Sequence, residues 1–193
     1  MKTQLIISDC DGVFLDFSKS MADWASEKHG LEEVCKVSYS MSDRFGISHG
    51  DELIEEFIAT HVDGELEPIY SSIEPVKKLY NDYGIQQIIV TAIDDFITEG
   101  RTRNLKKYFG DAIKEVHCVG SSANKATVLK KYEGSGCLWI EDWVANAYVG
   151  KELGLDAVIY SQPWNQDYGG KLPVFNNMEQ IVSYYHANVR NIQ

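Results

Sequence analysis

The apolar run Leu5 to Ser8 is short and gives way at once to acidic residues and Gly12, the pattern of a buried strand that ends in a turn. Four further runs have the same character: Ile85 to Val90, Glu115 to Val119, Cys137 to Ile140 and Ala157 to Tyr160. Between them the apolar positions recur at helical spacing, over about 72–83, 98–109, 124–133 and 143–153, with a last helical stretch near 177–187. Strands alternating with helices of this length predict an α/β protein, a Rossmann-like parallel sheet with helices on both faces.

One connection is too long for that plan. About fifty residues, from Phe17 to about Ile69, separate the first strand from the helix that leads to the second, far more than a crossover needs. Met21-Ala22-Asp23-Trp24-Ala25 and Glu52-Leu53-Ile54-Glu55-Glu56-Phe57-Ile58 read as amphipathic helices, and no strand alternation interrupts them. The expected organisation is a core of residues 1–16 and 70–193 with a small helical cap, 17–69, inserted after the first strand. Pro163 to Gly170 reads as the one long loop, and there are no repeats or low-complexity tracts.

Composition narrows the function. A chain of 193 residues, 44% hydrophobic, buries one good core and an appendage. Its formal net charge of −11, with no cluster of Lys and Arg, disfavours a long contact with a nucleic-acid polymer, and none is expected, yet it allows a small anionic substrate met by local cations, a metal or helix N-termini. The four cysteines, Cys10, Cys35, Cys118 and Cys137, lack zinc-like spacing and read as free thiols. The apolar run in Met1 to Ile7 is too short for a signal peptide, and no stretch reaches membrane-spanning length; both lead to the expectation of a cytoplasmic protein without a membrane partner.

In an open parallel sheet the ligand site lies beyond the carboxyl ends of the strands, so the residues that follow each run carry the chemistry. Asp9 and Asp11 follow the first strand, Thr91 and Ala92 the second, and Glu141 and Asp142 the fourth; Lys125 opens the helix after the third. Carboxylates from two strand ends, with a lysine and a hydroxyl, are the hard oxygen donors and phosphate ligands of a magnesium (Mg2+) and phosphate site. A carboxylate attacks phosphorus only where the repulsion between two anions is relieved, by a metal beside Asp9 and by Lys125 and Thr91 on the other phosphate oxygens. That logic makes Asp9 the nucleophile and Asp11 the acid and base, with Gly12 allowing the sharp turn between them.

Asp9-Cys10-Asp11-Gly12-Val13, Ile89-Val90-Thr91-Ala92, Lys125 and Ile140-Glu141-Asp142 resemble, in order and position, the motifs of the haloacid dehalogenase (HAD) superfamily, over nearly the whole chain. The resemblance implies an aspartyl-phosphate on Asp9, an Asp11 that gives its carbonyl to magnesium while its carboxyl moves protons, and metal ligation completed by Asp142 and Glu141. An Asp at position 11 resembles the phosphatase branch. Many members carry another Asp four residues after the last metal ligand, where this chain has Asn146.

A narrower resemblance rests on Asp11 to Phe17, Lys107-Tyr108-Phe109-Gly110, Lys125-Ala126-Thr127-Val128 and Gln162-Pro163-Trp164-Asn165, which are similar to the 5′(3′)-deoxyribonucleotidases. It implies a nucleoside monophosphate as substrate, with Phe17, Trp24, Arg44, Phe45 and Tyr39 as candidate contacts from flap or cap. That family usually follows the threonine with Ser-Pro, where this chain has Ala92-Ile93. The alternative is another small phosphoester, such as a sugar phosphate or phosphoglycolate.

Blander readings stand beside these. Trp24 and Phe45 also fit a cap core, and Arg44, His49 and His61 also fit a solvated cap surface. Glu141 also fits a neighbour of Asp142 that touches no metal, and Cys10 reads as a small packed residue. A phosphoacceptor signalling domain would need its acceptor Asp after the third strand, where Gly120-Ser121-Ser122 stands, and a non-catalytic binding module has no use for the full set of carboxylates.

Overall fold

The computed structural model describes residues 5–61, 65–120 and 124–188, so Ser121 and Ser122 and part of the long insertion, 62–64, lie outside it. Its strands are β1 (Leu5–Ser8), β2 (Gln86–Thr91), β3 (Ile113–Cys118), β4 (Leu138–Glu141), β5 (Asp156–Tyr160) and β6 (Val174–Phe175). They form one sheet in the order β3-β2-β1-β4-β5-β6, with every neighbouring pair parallel. Five of these are the expected strands, with ends shifted by at most two residues; β6 was not anticipated, because two residues carry no periodicity.

The helices are α1 (Phe17–His29), α2 (Met41–Phe45), α3 (Gly50–Thr60), α4 (Tyr70–Tyr83), α5 (Thr98–Phe109), α6 (Ala126–Leu129), α7 (Val144–Glu152) and α8 (Met178–Asn188). The helix expected over 124–133 is α-helical only across α6 and tightens to a 3-10 turn at Lys130–Tyr132. Gly134 and Gly136, at φ 67° and 66°, then turn the chain out of helical geometry.

Strand side chains alternate between two cores, as a sheet covered on both faces requires. Ile6, Ile89, Ile140 and Val158 join Phe14, Phe109 and Tyr185 on one face. Ile7, Ile88, Trp139 and Ile159 join Leu129 and Ala147 on the other. Trp139 is fully buried and donates its Nε1–H to the Asn146 carbonyl at 3.1 Å. No helix among the described residues is long and apolar enough to cross a membrane.

Two features set up the site. β1 lies between β2 and β4, where the strand order reverses, so the ends of these three strands open into one crevice. The insertion then supplies α1 to α3. Asp16 caps α1 by accepting from the Lys19 amide at 3.1 Å, and Phe17 on α1 meets Phe57 on α3 edge to face at 5.2 Å. On the return, Pro68 bridges to Leu15, and the Asn104 side chain bonds both backbone groups of Leu66, at 3.2 and 3.0 Å.

Candidate active site

Asp9 extends β1 by one residue: its amide still donates to the Ile140 carbonyl of β4 at 2.8 Å, which delivers the side chain to the crevice. There Asp9 Oδ1 accepts from the Cys10 amide at 2.7 Å and lies 2.7 Å from Lys125 Nζ. The same ammonium donates to Glu141 Oε1 at 2.5 Å, and Glu141 Oε2 accepts from the Trp143 amide at 2.8 Å. Lys125 is 1% exposed and thus joins the ends of β1 and β4 from inside the protein. Asn124, whose Oδ1 accepts from the Ala126 amide at 2.8 Å, fixes the backbone turn that presents it.

Charge in this cluster does not balance within the protein. Asp9, Glu141 and Asp142 are all buried, each offers one oxygen within 4.8 Å of the others, and Lys125 brings one positive charge to them. Burial alone would push the Lys125 ammonium down, but Asp9 and Glu141 outweigh it and hold the group well above the ordinary lysine value. Asp142 is driven well above the usual carboxylate range by burial, then by Glu141 and Asp9. Burial raises Glu141 too, against the pull of Lys125. Hard oxygen donors in surplus, pressed together out of water, fit a divalent cation such as magnesium. Both Glu141 oxygens already accept protein hydrogen bonds, whereas Asp142 borders the cavity. Direct ligation therefore suits Asp142 better than Glu141.

Gly12 permits this arrangement twice over. Its φ of 78° lies in the left-handed region, and a Cβ at this position would collide with the Asp142 carboxylate. The turn is braced from the loop after β5: Gln162 Nε2 donates to the Gly12 carbonyl at 2.6 Å, and Asn165 Nδ2 donates to the Asp142 carbonyl at 2.8 Å. Gly12→Ala is expected to displace Asp142 and add about 1–2 kcal/mol of backbone strain. Thermal melts with and without magnesium read both effects: a lower melting temperature, and a smaller rise on adding the metal than in the parent protein.

Asp11 lines the same cavity as Lys125. Thr91, buried at the end of β2, points its hydroxyl at Asp11 Oδ2 from 3.5 Å, while Arg101 of α5 brings Nη1 to 3.2 Å from Asp11 Oδ1. Burial pushes the Asp11 carboxyl up, and Arg101 pulls it back down. Arg101 escaped the sequence reading, although a signal was present. It sits four residues after Ile97, four before Leu105 and eight before Phe109, on a stripe whose other members are buried apolar side chains. A cation on such a stripe needs an internal anion.

These residues open into a cavity of about 470 Å³, bounded by the strand ends on one side and the insertion on the other. Asp9, Asp11, Thr91, Ala92, Lys125 and Asp142 line it, as do Phe17 and Arg44; Trp24 and Phe45 are not among its lining residues. Trp24 packs edge-on against Phe57 at 5.4 Å, and Phe45 is buried in the apolar cluster. Arg44 is committed to Glu33, with Nε and Nη2 2.9 and 2.6 Å from Glu33 Oε1, and its Nη1 donates to Ser18 Oγ at 3.0 Å. Tyr39 and Trp164 form an aromatic wall, with Tyr39 stacked on Trp143 at 4.1 Å. Asn146 also lines the cavity.

No protein-family model matches the sequence, and no curated protein matches it. Solved structures do. A conserved haloacid dehalogenase-like protein from Agrobacterium tumefaciens is similar over 96% of this chain and 99% of its own, with 15% identity and a TM-score of 0.64. A HAD family hydrolase from Deinococcus radiodurans, with bound phosphate and sodium, matches over 97% and 96% at 14% identity and a TM-score of 0.64. D,D-heptose 1,7-bisphosphate phosphatase from Burkholderia thailandensis matches over 96% and 99% at 12% identity and a TM-score of 0.57. At such identities the likeness concerns the backbone alone, and on that ground this chain has the fold of the haloacid dehalogenase-like hydrolases.

Proposed function

We propose that this protein is a magnesium-dependent phosphomonoesterase that works through an aspartyl-phosphate on Asp9, with residues 17–69 acting as a small cap over the site. The observation that carries the reading is the buried Lys125, which joins Asp9 at the end of β1 to Glu141 at the end of β4, beside the buried carboxylate of Asp142. The strand order adds support. A phosphoacceptor receiver has the order 2-1-3-4-5, whereas β1 here sits between β2 and β4.

Asp9 and Asp142, with the Asp11 carbonyl, would hold the metal. When bound, magnesium supplies positive charge against the substrate phosphate, so that an anionic carboxylate can approach it. Asp9 then attacks phosphorus as the ester P–O bond breaks, and Asp11 gives its proton to the departing oxygen. In the second half Asp11 takes a proton from the water that attacks phosphorus, the bond to Asp9 breaks, and phosphate leaves. Lys125 and Thr91 would neutralise and position the phosphate oxygens.

The substrate class that fits best is a small phosphoester such as a sugar monophosphate. One structure of the same fold is a sugar bisphosphate phosphatase, and the cavity suits a compact leaving group. A nucleoside monophosphate is the second reading, favoured by the aromatic wall of Tyr39 and Trp164, on which a base would stack. The outer cavity has Asp51 and Glu55 on its rim, and its two lining cations, Lys125 and Arg44, are both paired with carboxylates. A second anionic group on the substrate is therefore unwelcome, by about 1 kcal/mol in a solvated mouth, or roughly fivefold in kcat/KM.

Phosphate release across a panel of sugar monophosphates, sugar bisphosphates, phosphoglycolate and 5′- and 3′-nucleotides, with magnesium or with chelator, tests the proposal. Metal-dependent release with monophosphates ahead of bisphosphates is the expected outcome. A nucleotide well ahead of every sugar phosphate would move the substrate to the second reading, and no release from any ester would end the phosphatase proposal.

A further inference from the structure

Arg101 is 2% exposed, one of the most deeply buried charges in the protein. A guanidinium carries five donors and keeps its charge at any working pH, so burying it requires a compensating anion. The ion pair with Asp11 supplies one, at 3.2 Å. The nearby Cys10 and Cys118 thiols do not, since burial raises both and keeps them neutral. The pairing is electrostatic and poorly directed: Arg101 Nε and Nη1 and Asp11 Oδ1 are all buried and make no hydrogen bond. Asp11 Oδ2 is left for Thr91, at the long distance of 3.5 Å, and for the cavity.

We propose that Arg101 is a positioning residue for proton transfer, one that holds Asp11 by Oδ1 so that Oδ2 faces the leaving-group oxygen. The inference rests on the reading of Asp11 as acid and base. A charge contact without a directed hydrogen bond keeps the carboxylate in place yet leaves it free to rotate when a substrate takes the place of Thr91 as its partner. Arg101 touches neither phosphate nor metal in this arrangement and acts only through Asp11.

Leaving-group chemistry tests this. A 4-nitrophenolate departs from phosphorus without a proton, while an alkoxide needs one, and kcat/KM reports the steps up to cleavage of that first bond. The experiment compares kcat/KM for 4-nitrophenyl phosphate and for an alkyl phosphate such as glycerol 3-phosphate in the full-length protein, in Arg101→Met and in Arg101→Lys, with Asp11→Asn as reference. For Arg101→Met the alkyl ester is expected to slow by about 10²-fold or more and the aryl ester by less than about fivefold. Arg101→Lys, which keeps a charge, should recover at least about tenfold on the alkyl ester, and Arg101→Met should add little to Asp11→Asn. If the Met variant fails to fold, the Lys variant carries the comparison, since an ammonium that cannot sit where the guanidinium does should still widen its aryl-to-alkyl ratio. Equal losses on both esters, or no loss on either, would overturn the positioning role while leaving the phosphatase reading intact. A parent protein inert toward both esters would overturn that reading and this inference with it.

Discussion

Asp9→Asn is expected to abolish magnesium-dependent phosphate release, by at least about 10⁴-fold in kcat, with the fold retained. An amide has no anionic oxygen to form a bond to phosphorus, so the first step is lost and no other carboxylate replaces it. The carboxylates of Glu141 and Asp142 belong to β4 and the residue beyond it, and Asp11 is drawn toward Arg101 and Thr91. The fold should survive because Lys125 keeps its bond to Glu141, and the side-chain carbonyl of the substituted amide can still accept from the Cys10 backbone N–H. Parallel measurements of turnover and thermal unfolding separate the two effects. Undiminished turnover would remove Asp9 from the nucleophile's role.

Lys125→Met should damage stability as well as activity. The ammonium is enclosed by Asp9 and Glu141, and removing one partner of a buried ionic cluster leaves the others uncompensated, typically at a cost of about 3–5 kcal/mol. In a protein of 193 residues that lowers the melting temperature by roughly 10 °C. The Lys125 pKa is raised above its unfolded value, so its contribution is fully present below the unfolded pKa near 10.4 and is lost only as pH rises through the higher folded value. Melts at neutral pH therefore compare a fully charged cluster with its deletion. Magnesium should recover part of the lost stability, because the carboxylates freed by the substitution still attract a cation. A variant as stable as its parent, with or without metal, would show that Lys125 does not hold the cluster together.

The parallel sheet and the gathering of the strand-end residues around one cavity are legible in the sequence because they are local. Each apolar run is long enough to show its character, and Asp9, Thr91 and Asp142 follow directly from those runs. β6 was not legible, since two residues beside a loop have no period. α6 was overextended because the helical pattern from 124 runs on into a 3-10 turn that only the glycines at 134 and 136 betray. Pairings across the fold were the hardest to foresee. Nothing in the spacing ties Arg44 to Glu33, which commits a candidate substrate contact to an ion pair, or aims Arg101 at Asp11. The spacing of Arg101 with Ile97, Leu105 and Phe109 marked it as buried, but its partner lies on a different element. The collision that excludes a side chain at Gly12 likewise depends on β4 lying beside β1.

The covalent intermediate on Asp9 is the claim on which the rest depends, and it can be trapped. Asp11→Asn removes the base for the second step, so aspartyl-phosphate should accumulate during turnover of 4-nitrophenyl phosphate with magnesium, an ester whose leaving group needs no proton from Asp11 in the first step. Quenching the reaction, reducing with borohydride and mapping the digest by mass spectrometry should find Asp9 converted to homoserine, with chelated controls unmodified. Reduction at a different carboxylate, or none while phosphate is still released, would contradict the account.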